Sequence, residues 1–137
     1  MEVNLVAVFA AAAAMFAVGG FWYMVPFAKA WGDIHGFNKL SKKEQKDMQA
    51  KMGPYYGVQI VVTIISAFVL AHFITALPDV DFYKIAFWLW LGFIVPTEVS
   101  SVIFGGTESK WIVKKITISI GGSLVCTLVG AWVISLF

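Results

Sequence analysis

Phe87-Trp88-Leu89-Trp90-Leu91-Gly92-Phe93-Ile94-Val95-Pro96-Thr97-Glu98-Val99-Ser100-Ser101-Val102-Ile103-Phe104 is the stretch that decides the fold of this chain. Extended back to Phe82, it is long enough to cross about 30 Å of hydrocarbon as a helix, which takes roughly 20 apolar residues. One residue in it stands apart. Glu98 is a carboxylate inside an apolar span, and a charge near the centre of such a helix costs about 2.5–3.5 kcal/mol on insertion scales. That cost is tolerated when the side chain faces protein or water instead of lipid, so Glu98 is the first candidate for a functional site.

The rest of the chain is of the same kind. Hydrophobic residues make up 60% of the 137 and charged residues 13%, against roughly 45–50% and about 25% in soluble domains. The apolar residues fall into four stretches, about 3–27, 55–77, 82–104 and 111–137. In lipid every backbone amide must be satisfied within its own element. These segments also lack the alternation of barrel strands. The expected fold is therefore all-α: an integral membrane bundle of four transmembrane helices forming a single domain over residues 1–137. The first stretch opens with Met1-Glu2-Val3-Asn4 and is too long for a signal-peptide core, so it is read as a retained span.

Lysines give the expected topology. Lys29, Lys39, Lys42, Lys43, Lys46 and Lys51 follow the first span, and Lys110, Lys114 and Lys115 follow the third. The connection after the second span holds Lys84 beside Asp79 and Asp81. The positive-inside rule then places loops 1 and 3 in the cytoplasm and both termini outside. A bacterial-type cytoplasmic membrane is the expected location. The net charge of +2 reflects this bias. It does not indicate nucleic-acid binding, which would need Arg and interleaved exposed aromatics.

Aromatics gather near the two expected interfaces: Trp22, Tyr23, Phe27, Trp31, Tyr55, Tyr56 and Trp111 on the inner side, and Phe82, Tyr83, Phe87, Trp88 and Trp132 on the outer. Membrane anchoring is the simplest reading of such belts. Between the first two spans, residues 32–53 are polar. Ser41-Lys42-Lys43-Glu44 fits a capping box, Asp47 and Lys51 are an i,i+4 pair, and Gly53-Pro54 suits a helix end followed by a new helix start. This predicts a short cytoplasmic helix over about 42–52, with Leu40, Met48 and Met52 against the bundle or the lipid. Its lysines would attract anionic lipid, about 1 kcal/mol per lysine near the surface.

The fourth span carries a small-residue face, with Gly122, Cys126 and Gly130 every four residues and Ser119, Ser123, Thr127 and Ala131 beside them. Such rows let helices approach closely in lipid. The partner is either the first span, rich in alanine, or another subunit. Cys126 is the single cysteine, so it forms no intrachain disulfide and reads as a small packing residue. Val25-Pro26 and Val95-Pro96 occupy corresponding places in the first and third spans.

Counted inward from Phe82, Glu98 lies about 24 Å deep. At that depth the other spans offer Tyr23, Gln59, Thr63, Thr117 and Ser119, and Thr97 is its neighbour. Pro96 lacks an amide hydrogen and frees the Gly92 carbonyl. Glu98 is then a protonatable site in a solute or ion pathway, a polar anchor that fixes packing, or a catalytic acid or base. An enzyme would need more than one deep ionisable group, so none is expected. No cofactor and no metal are expected either: His35 and His72 fall on opposite sides, and there is no zinc spacing, phosphate-binding glycine loop or paired nucleophile and base.

Asn4, Gly20-Phe21-Trp22-Tyr23, Phe27-Ala28-Lys29-Ala30-Trp31 and the glycine-rich final helix together resemble an uncharacterised family of small four-helix membrane proteins, domain of unknown function 1761. The resemblance covers nearly the whole chain and implies the architecture. It supplies no activity, and Glu98 is not carried by its motif. The leading functional expectation is handling of a small solute or ion at Glu98 in a homo-oligomer. The rival is a non-catalytic accessory subunit that docks through the small-residue face.

Overall fold

Asn4 starts the first helix. In the computed structural model, which describes residues 2–137, its side-chain oxygen accepts the N–H groups of Val6 and Ala7 at 3.0 and 3.3 Å, two of the amides a helix start leaves unpaired. Helix α1, Leu5–Met24, stops at Val25-Pro26. Pro26 has no N–H to offer the Trp22 carbonyl, which takes the Phe27 N–H instead at 3.3 Å. The expected single run over 3–27 is therefore broken, and a separate helix α2, Ala28–Ile34, follows.

Gly36, with φ of 72°, turns the chain into a short 3-10 segment, Phe37–Lys39. The Ser41 capping box then opens α3, Lys42–Lys51, with both reciprocal bonds formed. Asp47 and Lys51 form no ion pair among the described residues. Gly53 does not cap α3 in a left-handed conformation as its sequence context suggests. Met52 stays right-handed and its carbonyl accepts the Tyr56 N–H, so α4, Gly53–Ala76, begins at once with Pro54 in its first turn, where a missing N–H costs little.

After the Pro78–Asp81 turn come α5, Phe82–Leu89, a π-helical segment, Trp90–Ile94, and α6, Val95–Phe104. Together they form one continuous rod, Phe82–Phe104. A 3-10 turn, Ser109–Trp111, leads into α7, Ile112–Ser135. Among the described residues there are no strands.

α7 is the hub and packs on α1, α4, α5 and α6. The core joins Val8, Ala11, Ala12 and Met15 of α1 to Ala67, Leu70 and Ala71 of α4, Ala86 of α5, and Ala131 and Ile134 of α7. Alanine and glycine allow this closeness. A Cβ on Gly130 would stand 2.5 Å from Met15 Sδ, and one on Gly122 would stand 2.8 Å from Trp22 Cδ1. The small-residue face of the last span thus lies under α1.

Four helices are long and apolar enough to cross a membrane: Leu5–Met24, Gly53–Ala76, Phe82–Phe104 and Ser109–Ser135. In the most apolar window of Phe82–Phe104 only 6% of residues are buried, so its apolar side chains mostly point outward. Soluble monomers seldom expose contiguous apolar patches above about 300–600 Å². Both lysine-bearing connections meet at one end of the bundle, where residues of 32–39 and 105–115 line a common cavity. The Pro78–Phe82 turn lies with Ser135 at the other end.

Candidate functional site

The π-helical turn makes the site. Pro96 cannot donate to the Gly92 carbonyl, and the backbone accommodates this by widening: the Val95 N–H reaches the Trp90 carbonyl, five residues back. On a regular α-helix, at about 100° per residue, Trp90 and Glu98 would point about 80° apart. A single wide turn inserts one residue without advancing the face, which brings the two within about 20° of each other.

Both side chains then meet Ser123, near the middle of α7. The Trp90 Nε1–H is shared between the Ser123 Oγ and the Ile120 carbonyl, each at 3.1 Å. Ser123 Oγ lies 3.0 Å from Glu98 Oε2 and 3.1 Å from the Ile120 carbonyl. The hydroxyl has one hydrogen, so it donates either to the carboxylate or to the helix carbonyl. An ionised Glu98 takes that hydrogen. A protonated Glu98 instead donates its own O–H to Ser123, whose hydrogen turns to Ile120. The same heavy atoms satisfy both states.

α1 closes the other side. The Trp22 Nε1–H donates to the Ile118 carbonyl at 3.0 Å, and its ring lies across Gly121 and Gly122. Trp22 is therefore half-buried packing against α7 instead of the interfacial anchor its position suggested. Tyr23, next in sequence, faces Ser119, with Glu98 and Cys126 in the surroundings of its hydroxyl. Cys126 Sγ lies 3.5 Å from the Met15 carbonyl. Glu98 is half-buried and has no ion-pair partner among the described residues.

Of the residues matched to Glu98 by depth, Tyr23 lies beside Ser119 and in the neighbourhood of Glu98, whereas Gln59, Thr63 and Thr117, and the Glu98 neighbour Thr97, bond within their own helices. The exposed Gln59 donates to Thr63 Oγ1 on its own helix at 3.2 Å. Thr97 donates to the Phe93 carbonyl at 2.7 Å and Thr117 to the Val113 carbonyl at 2.8 Å, both exposed. Counting residues gives depth but not azimuth: Thr97 is about 100° round its helix from Glu98, and Thr117 about 200° from Ser119. Ser123 stood in the sequence only as a member of the packing row, one turn beyond Ser119. Trp90 carried no signal, because its alignment with Glu98 depends on the wide turn.

His35 stacks on Trp31, with Nδ1 2.9 Å from the Trp31 carbonyl, and His72 lies beside Phe68 on α4. Among the described residues no three His, Cys, Asp or Glu side chains are grouped to hold a metal ion.

The family described as "Protein of unknown function (DUF1761)" matches residues 6–135, nearly the whole chain, and the chain belongs to that family. No curated protein and no solved structure matches it.

Proposed function

We propose that this member of the DUF1761 family is an integral membrane protein that handles a small solute or ion at the Glu98–Ser123 site. One observation carries the reading. A carboxyl group sits inside an apolar rod, with a hydroxyl as its hydrogen-bond partner and, among the described residues, no cation to neutralise it. Intramembrane carboxylates of this kind face protein or water-filled space and mark ion and proton paths. The pairing of Glu98 with Ser123 tolerates both protonation states, which suits a group that exchanges a proton or cation during its cycle.

In this account loops 1 and 3 are cytoplasmic, both termini are outside, and the membrane is a bacterial-type cytoplasmic membrane. The gathering of the lysines at one end supports that orientation under the positive-inside rule. The chain acts as a homo-oligomer, since four short helices leave little room for a pathway within one copy. In this account it is not an enzyme, and Ser123 serves only as the hydrogen-bond partner of the single carboxyl group at the site. The rival reading, a non-catalytic accessory subunit, would need a docking surface other than the small-residue face, where Gly122 and Gly130 lie against Trp22 and Met15 of α1.

The test is flux in proteoliposomes. Purified protein is reconstituted, and the movement of protons, Na⁺ and K⁺ is followed with entrapped dyes. Wild type should conduct at least one of these, and Glu98→Gln, which keeps a hydrogen-bonding partner for Ser123, should abolish or uncouple the flux while folding normally. Equal flux in the two proteins would contradict the proposal.

A further inference from the structure

Around Ser123, the partner of Glu98, three α7 carbonyls each take a side-chain donor. Trp22 of α1 sends its Nε1–H to the Ile118 carbonyl at 3.0 Å. Trp90 of the third span sends its own to the Ile120 carbonyl at 3.1 Å. The Thr127 hydroxyl donates to the Ser123 carbonyl at 2.7 Å. The wide turn is covered in the same way: the Trp90 carbonyl takes the Val95 N–H, and the Phe93 carbonyl takes the Thr97 hydroxyl at 2.7 Å. Gly92, whose carbonyl loses the Pro96 N–H, is exposed and lies more than about 100° round the helix from Glu98.

That donor set discriminates between ions. Metal cations are held by several oxygens that replace their water: rings of carbonyls for K⁺, unwound-helix carbonyls for Na⁺, about six to eight oxygens for Ca²⁺. At Glu98 the groups joined by hydrogen bonds are the carboxyl group, the Ser123 hydroxyl and the Trp90 indole N–H, which donates and cannot accept. The indole N–H puts the positive end of a dipole where a metal cation would need an oxygen. A proton needs none of those oxygens. It adds to Glu98, and hydrogens alone rearrange: the acid O–H donates to Ser123 Oγ, and the Ser123 hydrogen turns to the Ile120 carbonyl at 3.1 Å. The other titratable groups nearby are Tyr23 of α1 and Cys126 of α7. Neither α1 nor α4 carries an Asp, Glu, Lys or Arg. Lys84 of α5 is paired with Asp81 at the far end, and Lys114 and Lys115 lie more than two turns from Ser123, with Lys115 over the Trp31 ring.

We propose that the ion handled at Glu98 is a proton and that the site excludes metal cations. This rests on the reading of Glu98 as the handling site and names what that site takes. By covering the α7 carbonyls, Trp22, Trp90 and Thr127 withhold the oxygens that a metal cation would need.

The experiment is an infrared titration of the protein in liposomes. The carboxyl stretching band of Glu98 is isolated as the difference between wild type and Glu98→Gln. It is followed against pH in choline, Na⁺, K⁺ and Ca²⁺ chlorides at equal ionic strength. The band should grow on acidification with one midpoint in all four salts. A metal cation that bound the ionised site with a Kd about tenfold below its concentration would lower the midpoint by about one pH unit. Such a lowering in any metal salt relative to choline would overturn the proposal, and so would the lack of a Glu98 band at every pH. The ion selectivity of wild-type proteoliposomes gives a second reading that does not depend on a variant: proton flux without Na⁺, K⁺ or Ca²⁺ flux is expected. A metal-cation flux that Glu98→Gln abolishes would overturn the proton assignment and leave the handling role of Glu98 standing. Flux that Glu98→Gln leaves unchanged, or no flux in either protein, would remove the handling role and the assignment with it.

Discussion

Trp90 and Glu98, eight positions apart, meet on a single oxygen, the hydroxyl of Ser123. Neither would reach it together with the other on a regular helix. The extra residue accommodated by the wide turn before Pro96 rotates them onto one face, so a proline that weakens the helix also assembles its polar site. π-Turns of this kind are rare and occur often at functional positions.

The shared oxygen predicts energetic coupling. Trp90→Phe and Ser123→Ala should each destabilise the protein, and the double variant should lose less than the two together. The coupling should be about 0.6 kcal/mol, the average for interhelical hydrogen bonds in a membrane bundle. Unfolding in mixed detergent and SDS measures it, and strict additivity would show that the two side chains do not share the hydroxyl.

Ser123→Ala should also cost more than Glu98→Gln. Removing the hydroxyl leaves a half-buried carboxyl group with no hydrogen-bond donor among the described residues, a loss of about 1–3 kcal/mol. The glutamine keeps a partner for Ser123 and should lie near wild type. The same unfolding assay ranks them, and the reverse order would contradict the hydrogen-bond assignment.

The α1–α7 contact predicts opposite effects at different glycines. A Cβ on Gly130 collides with Met15, whereas one on Gly20 meets nothing within 4 Å. Gly130→Leu should therefore destabilise the single chain by about 1–3 kcal/mol or more through overpacking. Gly20→Ala should be neutral or slightly stabilising, since alanine is the better helix former by about 0.5–1 kcal/mol. Thermal unfolding of the detergent-solubilised protein distinguishes the two. If Gly130→Leu unfolded as wild type, α1 would not sit on that face.

At the opposite end, the Asp81 carboxylate accepts from the Lys84 ammonium at 2.7 Å and from the Tyr83 hydroxyl at 3.0 Å. These bonds hold its carboxyl below the usual carboxylate value, Lys84 contributing most. The sign follows from linkage: a group whose folded value is depressed stabilises the fold above its unfolded value, and that contribution is lost as pH falls through the folded value. Carbon NMR of labelled Asp81 should show titration below the usual range, returning toward it in Lys84→Met. An unchanged value in that variant would remove Lys84 as the cause.

Much of this was readable in the chain beforehand. The spans, the Ser41 capping box and the membership of the family were all legible, because each depends on local pattern: runs of apolar residues, a four-residue cap, a short aromatic motif. Glu98 was legible as an anomaly. Its partners were only partly so. Tyr23, beside Ser119, shares its depth and its neighbourhood, while Gln59, Thr63 and Thr117 share only the depth. Ser123 and Trp90 depend on how the third span rotates at Pro96, a backbone response that residue types do not state. The break at Pro26 was likewise hidden, since Val25-Pro26 and Val95-Pro96 read alike. Pro96 is absorbed within a continuous rod, and Pro26 ends its helix.

The most direct test of the central claim uses dicyclohexylcarbodiimide, an apolar reagent that enters the bilayer and modifies protonated carboxyl groups. Proteoliposomes of the wild-type protein are treated with it, and labelling at Glu98 by mass spectrometry is followed against ion flux in the same sample. The account predicts that Glu98 is labelled, that flux falls in proportion to labelling, and that both labelling and flux are absent in Glu98→Gln. Full labelling of Glu98 with flux unchanged would contradict it.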